Sequence, residues 1–141
     1  MTVFVNPSLQ AIRDLLQQAH HVAVIGLSPR PERPSHRVAR ALQGFGYHVI
    51  PVRPATDEVL GEPAYASLDQ VPDPVDVADV FRAPEHVPAI VDQCIDRGVG
   101  VLWLQEGVVN TEAAQRAQRH GMTVVMDRCM LKDYRRLIDS G

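Results

Sequence analysis

Several features that mark specialised protein classes are absent from this 141-residue chain. It has two cysteines, Cys94 and Cys129, which form neither a disulfide scaffold nor a metal-ligand spacing. A reducing, cytoplasmic setting is therefore expected. The six histidines, His20, His21, His36, His48, His86 and His120, share no zinc-site spacing. Basic residues are scattered and the formal net charge is −3, so no nucleic-acid-binding stripe is expected. No apolar run approaches the length needed to span a bilayer, and Met1 to Asn6 lacks the pattern of a secretory signal. Gly-Lys-Ser/Thr occurs nowhere, which removes the nucleoside-triphosphate loop. There is no internal repeat, low-complexity tract or coiled-coil register. What is present is an apolar fraction of 45%, enough for one domain over residues 1–141 with a proper core.

The apolar pattern alternates strand and helix. Leu9, Ile12, Leu15, Leu16 and Ala19 form one stripe of a helix over about 7–19, with Pro7 at an early position. Val22 to Leu27 is a nearly continuous apolar strand, as expected when helices cover both faces. A proline-rich loop leads to Ser35, the expected N-cap of a helix carrying Val38, Ala39, Leu42 and Phe45. Tyr47–Val52 reads as a second strand near the sheet margin because of Pro51. Turn-rich chain follows, with a bend expected at Gly61. Strands are expected at Val75–Phe81, Val99–Leu104 and Met122–Met126. Helices are expected over 84–97 and from a Thr111 cap to Gly121, with a terminal helix or irregular tail over 130–138. This order predicts an α/β fold, a Rossmann-like three-layer α/β/α sandwich with a mainly parallel five-stranded sheet.

The first strand stops at Gly26, and a polar loop leads into a helix. That is the corner at which an open α/β sheet binds phosphate. Backbone N–H groups after Gly26 are expected to point into the cleft, Ser28 adds a hydroxyl, and Arg30, Arg33 and Arg37 stand nearby in sequence. The positions two and five after Gly26 hold Ser28 and Pro31, not the glycines of a dinucleotide fingerprint. The alternative at Gly26 and Ser28 is a plain strand-to-loop turn.

The run from Val24 to Val38 resembles the opening of the small stand-alone CoA-binding proteins, which are themselves similar to the CoA-binding domain of the succinyl-CoA synthetase alpha subunit. The blocks Gly46–Val52, Val75–Arg82, Leu102–Val108 and Val124–Cys129 fit the same resemblance in the same order. The resemblance implies a domain that holds coenzyme A, as free CoA, acyl-CoA or CoA disulfide, in a non-catalytic or regulatory role. It implies Gly26, Ser28 and Ser35 around the phosphates, with Arg33 as a cation; Leu27, Arg30 and His36 are further candidates by their place in the same loop, and a surface position stays open for His36. It places Val52, Arg53 and Pro54 on the adenosine side, and Phe81 and Arg82 over the adenine or pantetheine arm. Gln105 and Gly107 are expected at the edge of the fourth strand. For Arg53, stacking, a 3′-phosphate contact and a solvated loop position all stay open. The phosphorylated histidine of the synthetase belongs to a later domain, so ligase chemistry does not carry over.

Other conspicuous residues are read as structural. Trp103 is expected in the core, Cys94 in helix packing, and Asn110 on a neighbouring backbone group. Cys129 follows the last strand at the same edge, where it could lie near a bound thiol; with no histidine or carboxylate placed by sequence to activate it, a structural thiol is expected over a reactive one. Asp76 and Asp79 are an odd number apart and cannot share a strand face, which argues against a carboxylate pair or magnesium cage. The alternative function is a small oxidoreductase using a nicotinamide dinucleotide, but no Ser–Tyr–Lys arrangement supports it. A third is a regulatory or assembly protein with a vestigial pocket. Nucleic-acid and membrane partners are not expected, and the pattern leaves open a homodimer or another protein partner.

Overall fold

Local capping chemistry sets where the helices begin. The computed structural model describes residues 3–139; Met1 and Thr2 of the stretch read against a secretory signal, and the last two residues of the expected 1–141 domain, lie outside the described residues. Helix α1 (Leu9–Gln18) starts at Ser8, whose Oγ accepts from the Ala11 N–H at 3.1 Å, so Pro7 stands just outside the helix. Helix α2 (Pro34–Gly44) starts two residues earlier than a Ser35 cap would place it. Pro34 suits the first helical position and forces Arg33 into extended backbone, which makes Arg33 the N-cap. Ser35 then lies inside the first turn, and its hydroxyl is free for another task. Helix α4 (Thr111–Arg119) is capped by Asn110 and not Thr111: Asn110 Oδ1 accepts from the Ala113 N–H at 3.0 Å, and its Nδ2 donates to the Pro84 carbonyl at 3.1 Å.

The strands β1 (His21–Ile25), β2 (His48–Val52), β5 (Val77–Val80), β6 (Val101–Leu104) and β7 (Thr123–Met126) form one parallel sheet in the order β2-β1-β5-β6-β7. Helix α3 (Val87–Arg97) with α4 covers one face, where Ala78, Val80 and Leu102 meet Val87, Val91, Ala114 and Ala117. Helices α1, α2 and the short α5 (Met130–Tyr134) cover the other, where Val24 and Trp103 meet Ile12, Leu16, Val38, Leu42 and Met130. The architecture is thus the expected three-layer sandwich. Trp103 is fully buried, with its Nε1 donating to the Arg128 carbonyl at 2.8 Å.

Two details were not legible beforehand. The turn-rich segment contains a separate two-stranded antiparallel ribbon, β3 (Glu58–Val59) with β4 (Glu62–Pro63), reversed at Leu60 and Gly61, both at positive φ. Pro51 sits in edge strand β2 with its carbonyl turned outward to the Tyr65 N–H, so its missing N–H removes no bond to β1. Among the described residues, no helix is long and apolar enough to cross a membrane.

The aspartates diverge as the strand period requires. Asp76 precedes β5, and its Oδ2 accepts from the His20 and His21 N–H groups, each at 2.8 Å. Burial pushes its carboxyl upward, but these two bonds and the nearby histidines outweigh that and hold it below the usual carboxylate range. Asp76→Ala is expected to cost about 1–3 kcal/mol, because two N–H groups at the start of β1 lose their acceptor; a lowered urea midpoint with unchanged slope is the readout. Asp79 points the other way from Ala78 and Val80, into the α1/α2/α5 layer. It is fully buried, and neither carboxyl oxygen has a hydrogen-bond partner among the described residues.

Candidate functional site

From β1 the chain passes through α2 to β2 on one side, then returns to β5 on the other side of β1. Strand order therefore reverses at the C-terminal end of β1, where open α/β sheets have a crevice. Gly26 sits there with φ +90°. Its N–H donates to the Val52 carbonyl at 2.8 Å. A Cβ at this position would lie 2.6 Å from the Phe81 carbonyl oxygen and 3.0 Å from Arg82 Cδ. Gly26 is thus required by the protein's own neighbouring backbone, whatever the cleft holds.

The loop after Gly26 is fastened to itself. The Ser28 N–H donates to Ser35 Oγ at 3.0 Å, the Arg30 N–H donates to Ser28 Oγ at 3.1 Å, and His36 Nδ1 lies 2.9 Å from the Ser28 carbonyl oxygen. This corrects the expectation that N–H groups after Gly26 open into the cleft for Ser28 and Arg30, whose N–H groups, like that of Gly26 itself, are used within the protein. Three expected ligand-facing residues are corrected with it. Leu27 is fully buried in the core beneath α2, Val52 is buried in the opposite core, and His36 is a buried strut between α2 and the loop.

The remaining candidates do come together. A cleft of about 420 Å³ is lined by Gly26, Ser28, Arg30, Arg33, Ser35, Arg53 and Phe81 beside Pro34. A neighbouring recess of about 350 Å³ shares Gly26 and Arg53 and adds Pro54 and Arg82. The cleft is electropositive. Arg30 pairs with exposed Glu32 at 3.4 Å, and the N-terminus of α2, without a side-chain cap, opens beside Ser35.

A third, larger cavity of about 700 Å³ shares Pro34 and Phe81 with the first cleft and Arg82 with the recess. Gln105, Gly107 and Cys129 line it, and so do residues that sequence reading did not assign to a site, among them Leu131, Lys132 and Arg135. No sequence signal marked the last three, because they come from the chain end and reach the cavity only when α5 docks on the sheet. The wall is pinned from several sides. Gln105 Oε1 accepts from the Met130 N–H at 3.1 Å, the Gly107 N–H donates to Asp127 Oδ1 at 2.8 Å, and Lys132 bonds Glu106 at 3.0 Å. Arg128 grips Asp133 with two bonds of 2.7 and 2.8 Å, which hold its guanidinium more firmly in the charged form. Among the described residues no group of three or more metal-ligating side chains occurs.

Comparison with known proteins agrees with this geometry. The family described as "CoA binding domain" matches residues 20–135. The uncharacterized protein YneT of Bacillus subtilis is 43% identical over 125 residues, which cover 89% of this chain and 93% of that protein. A solved hypothetical protein from Pyrococcus horikoshii superposes with a TM-score of 0.91 at 35% identity, covering 98% of this chain and 99% of the other. The ADP-forming acetate–CoA ligase I of Archaeoglobus fulgidus is 29% identical over 119 residues; the match covers 77% of this chain but only 17% of the ligase. The likeness is therefore to a CoA-binding domain also found in ADP-forming acetate–CoA ligases, and not specifically to the succinyl-CoA synthetase alpha subunit.

Proposed function

This chain belongs to the family of CoA-binding domains, and from that premise we propose that it holds coenzyme A, free or as a thioester or disulfide, as one domain without turnover of its own. The observation that carries the reading is the electropositive cleft at the strand-order reversal, joined to a long cavity along the same sheet edge. Coenzyme A carries a diphosphate, a 3′-phosphate, an adenine and a slender amide-bearing arm, and each finds a chemical counterpart there. Arg30, Arg33 and the N-terminus of α2 suit the diphosphate. Arg53 and Pro54 suit the adenosine end, with the Arg53 guanidinium against the 3′-phosphate or the adenine face. Phe81 and Arg82 stand between the cleft and the larger cavity, which suits the pantetheine arm. Ligase activity belongs to relatives of which the chain spans a small part, and it is not assigned here.

Titration calorimetry of the purified protein tests this. Coenzyme A is expected to bind with one molecule per chain, and Arg33→Ala to weaken it about 10- to 100-fold, the worth of a charge-assisted hydrogen bond. Dephospho-CoA is expected to bind more weakly than CoA to the wild type and to lose that disadvantage in Arg53→Ala. Binding of a nicotinamide dinucleotide in place of CoA would overturn the reading in favour of a redox enzyme.

A further inference from the structure

Cys94 and Cys129 are chemically unlike in their surroundings. Cys94 lies wholly inside the α3 stripe, where burial pushes its thiol up to about 12. Cys129 is buried too, at 7% exposed, but it lines the 700 Å³ cavity just after β7. Its position is fixed by its neighbours: the Arg128 carbonyl is held by Trp103, Asp127 by Gly107, and the Met130 N–H by Gln105. Lys132 lines the same cavity, with its ammonium donating to Glu106 at 3.0 Å. A second feature of the same cavity points to a ligand. Gln105 is only 5% exposed, and Met130 occupies its Oε1, while its amide nitrogen has no protein partner among the described residues. An amide donor on a cavity wall can bond the carbonyl of an amide-bearing arm.

Distance along the sheet edge then decides what meets the sulfur. The strand order puts β7 three places from β1. At the usual spacing of parallel strands that is about 14 Å. The pantetheine arm has about twelve bonds between its phosphate and its sulfur, and an extended chain of that length also reaches about 14 Å. With the diphosphate at the α2 corner, the arm ends at Cys129. We infer that Cys129 exchanges with CoA disulfide, leaving one CoA joined to the protein as a mixed disulfide in this cavity. This rests on the CoA-binding reading above. The Cys129 thiolate attacks one sulfur of the CoA disulfide, the S–S bond breaks, and a new S–S bond forms to Cys129. The second CoA departs as a thiolate and takes up a proton. The CoA disulfide is the oxidant, so the electrons balance without another reagent.

Intact-mass spectrometry of the non-reduced protein incubated with CoA disulfide tests the inference. The expected result is a gain of one CoA moiety per chain, removed by dithiothreitol, preserved in Cys94→Ser and absent in Cys129→Ser. In the wild type, CoA disulfide is expected to react at least about tenfold faster than glutathione disulfide at equal concentration, because only the former is delivered by the phosphate cleft. Equal rates, or an adduct on Cys94, would overturn the inference. Titration of wild-type protein with CoA under reducing conditions separates the two readings. Reversible binding with no adduct from CoA disulfide removes the exchange and leaves the binding function standing. No binding of CoA in that titration removes both.

Discussion

Replacing Gly26 with alanine is expected to destabilise the folded protein by about 2–4 kcal/mol, read as a fall in the urea midpoint. Two causes act together. The backbone stands at φ +90°, a conformation that an L side chain adopts only with strain. The new Cβ would also meet the Phe81 carbonyl oxygen at 2.6 Å, and that oxygen belongs to the backbone that follows β5, so it cannot rotate away. Relief requires β1 and the chain after β5 to separate at their ends. The same movement carries Arg82, whose Cδ lies 3.0 Å from the built Cβ, and distorts the recess shared by Gly26, Arg53 and Arg82. CoA binding should therefore weaken along with stability. Alanine tolerated with an unchanged midpoint would show that Gly26 is not held by these contacts.

Asp79→Val is expected to act in the opposite direction, raising stability at pH 7 by about 1–3 kcal/mol, the usual penalty for a buried polar group without a partner. For a domain of this size that corresponds to a midpoint rise of about 3–4 °C per kcal/mol. Asp79 is fully buried between Val24 and Trp103 on neighbouring strands, and both its oxygens lack partners among the described residues. Burial alone pushes its carboxyl well above the usual range. The sign of the pH dependence follows from this. Above about pH 4 the unfolded chain has lost this proton while the folded chain keeps it. Stability contributed by Asp79 is thus greatest below about pH 4 and declines as pH rises toward the folded-state value. Asp76 contributes with the reverse sign, adding stability above about pH 4 and losing it on acidification. The advantage of Asp79→Val over wild type should widen from pH 4 upward, as thermal melts across that range would record. No gain at pH 7 would mean that the carboxyl is hydrogen-bonded in solution.

Much of this molecule was written locally. Apolar runs bounded by Gly26, Gly98 and Gly121 marked the strands and helix ends, because burial on both faces demands continuous apolar strands and left-handed chain reversals favour glycine. The corner at Gly26 and the arginines around it were legible for the same reason: a strand, a glycine and a helix start must meet there. Less legible was which polar group spends its bonds on the protein. Ser35 has the residue type of a cap, yet Pro34 takes the helix start and the Ser35 hydroxyl accepts from the Ser28 N–H instead. His36, a ligand candidate by proximity, became a strut in the same loop.

The sequence by itself determined the α/β alternation, the sheet of five strands and the glycine corner at the end of β1, since each follows from periodicity and turn chemistry within a short stretch of chain. Only the tertiary structure decided that Cys129, Lys132 and Arg135 share a cavity with Phe81 and Gln105, and that Asp79 has no partner. Those facts arise from strand order and from the docking of α5. Both bring together residues far apart in the chain, and no local pattern encodes such a meeting.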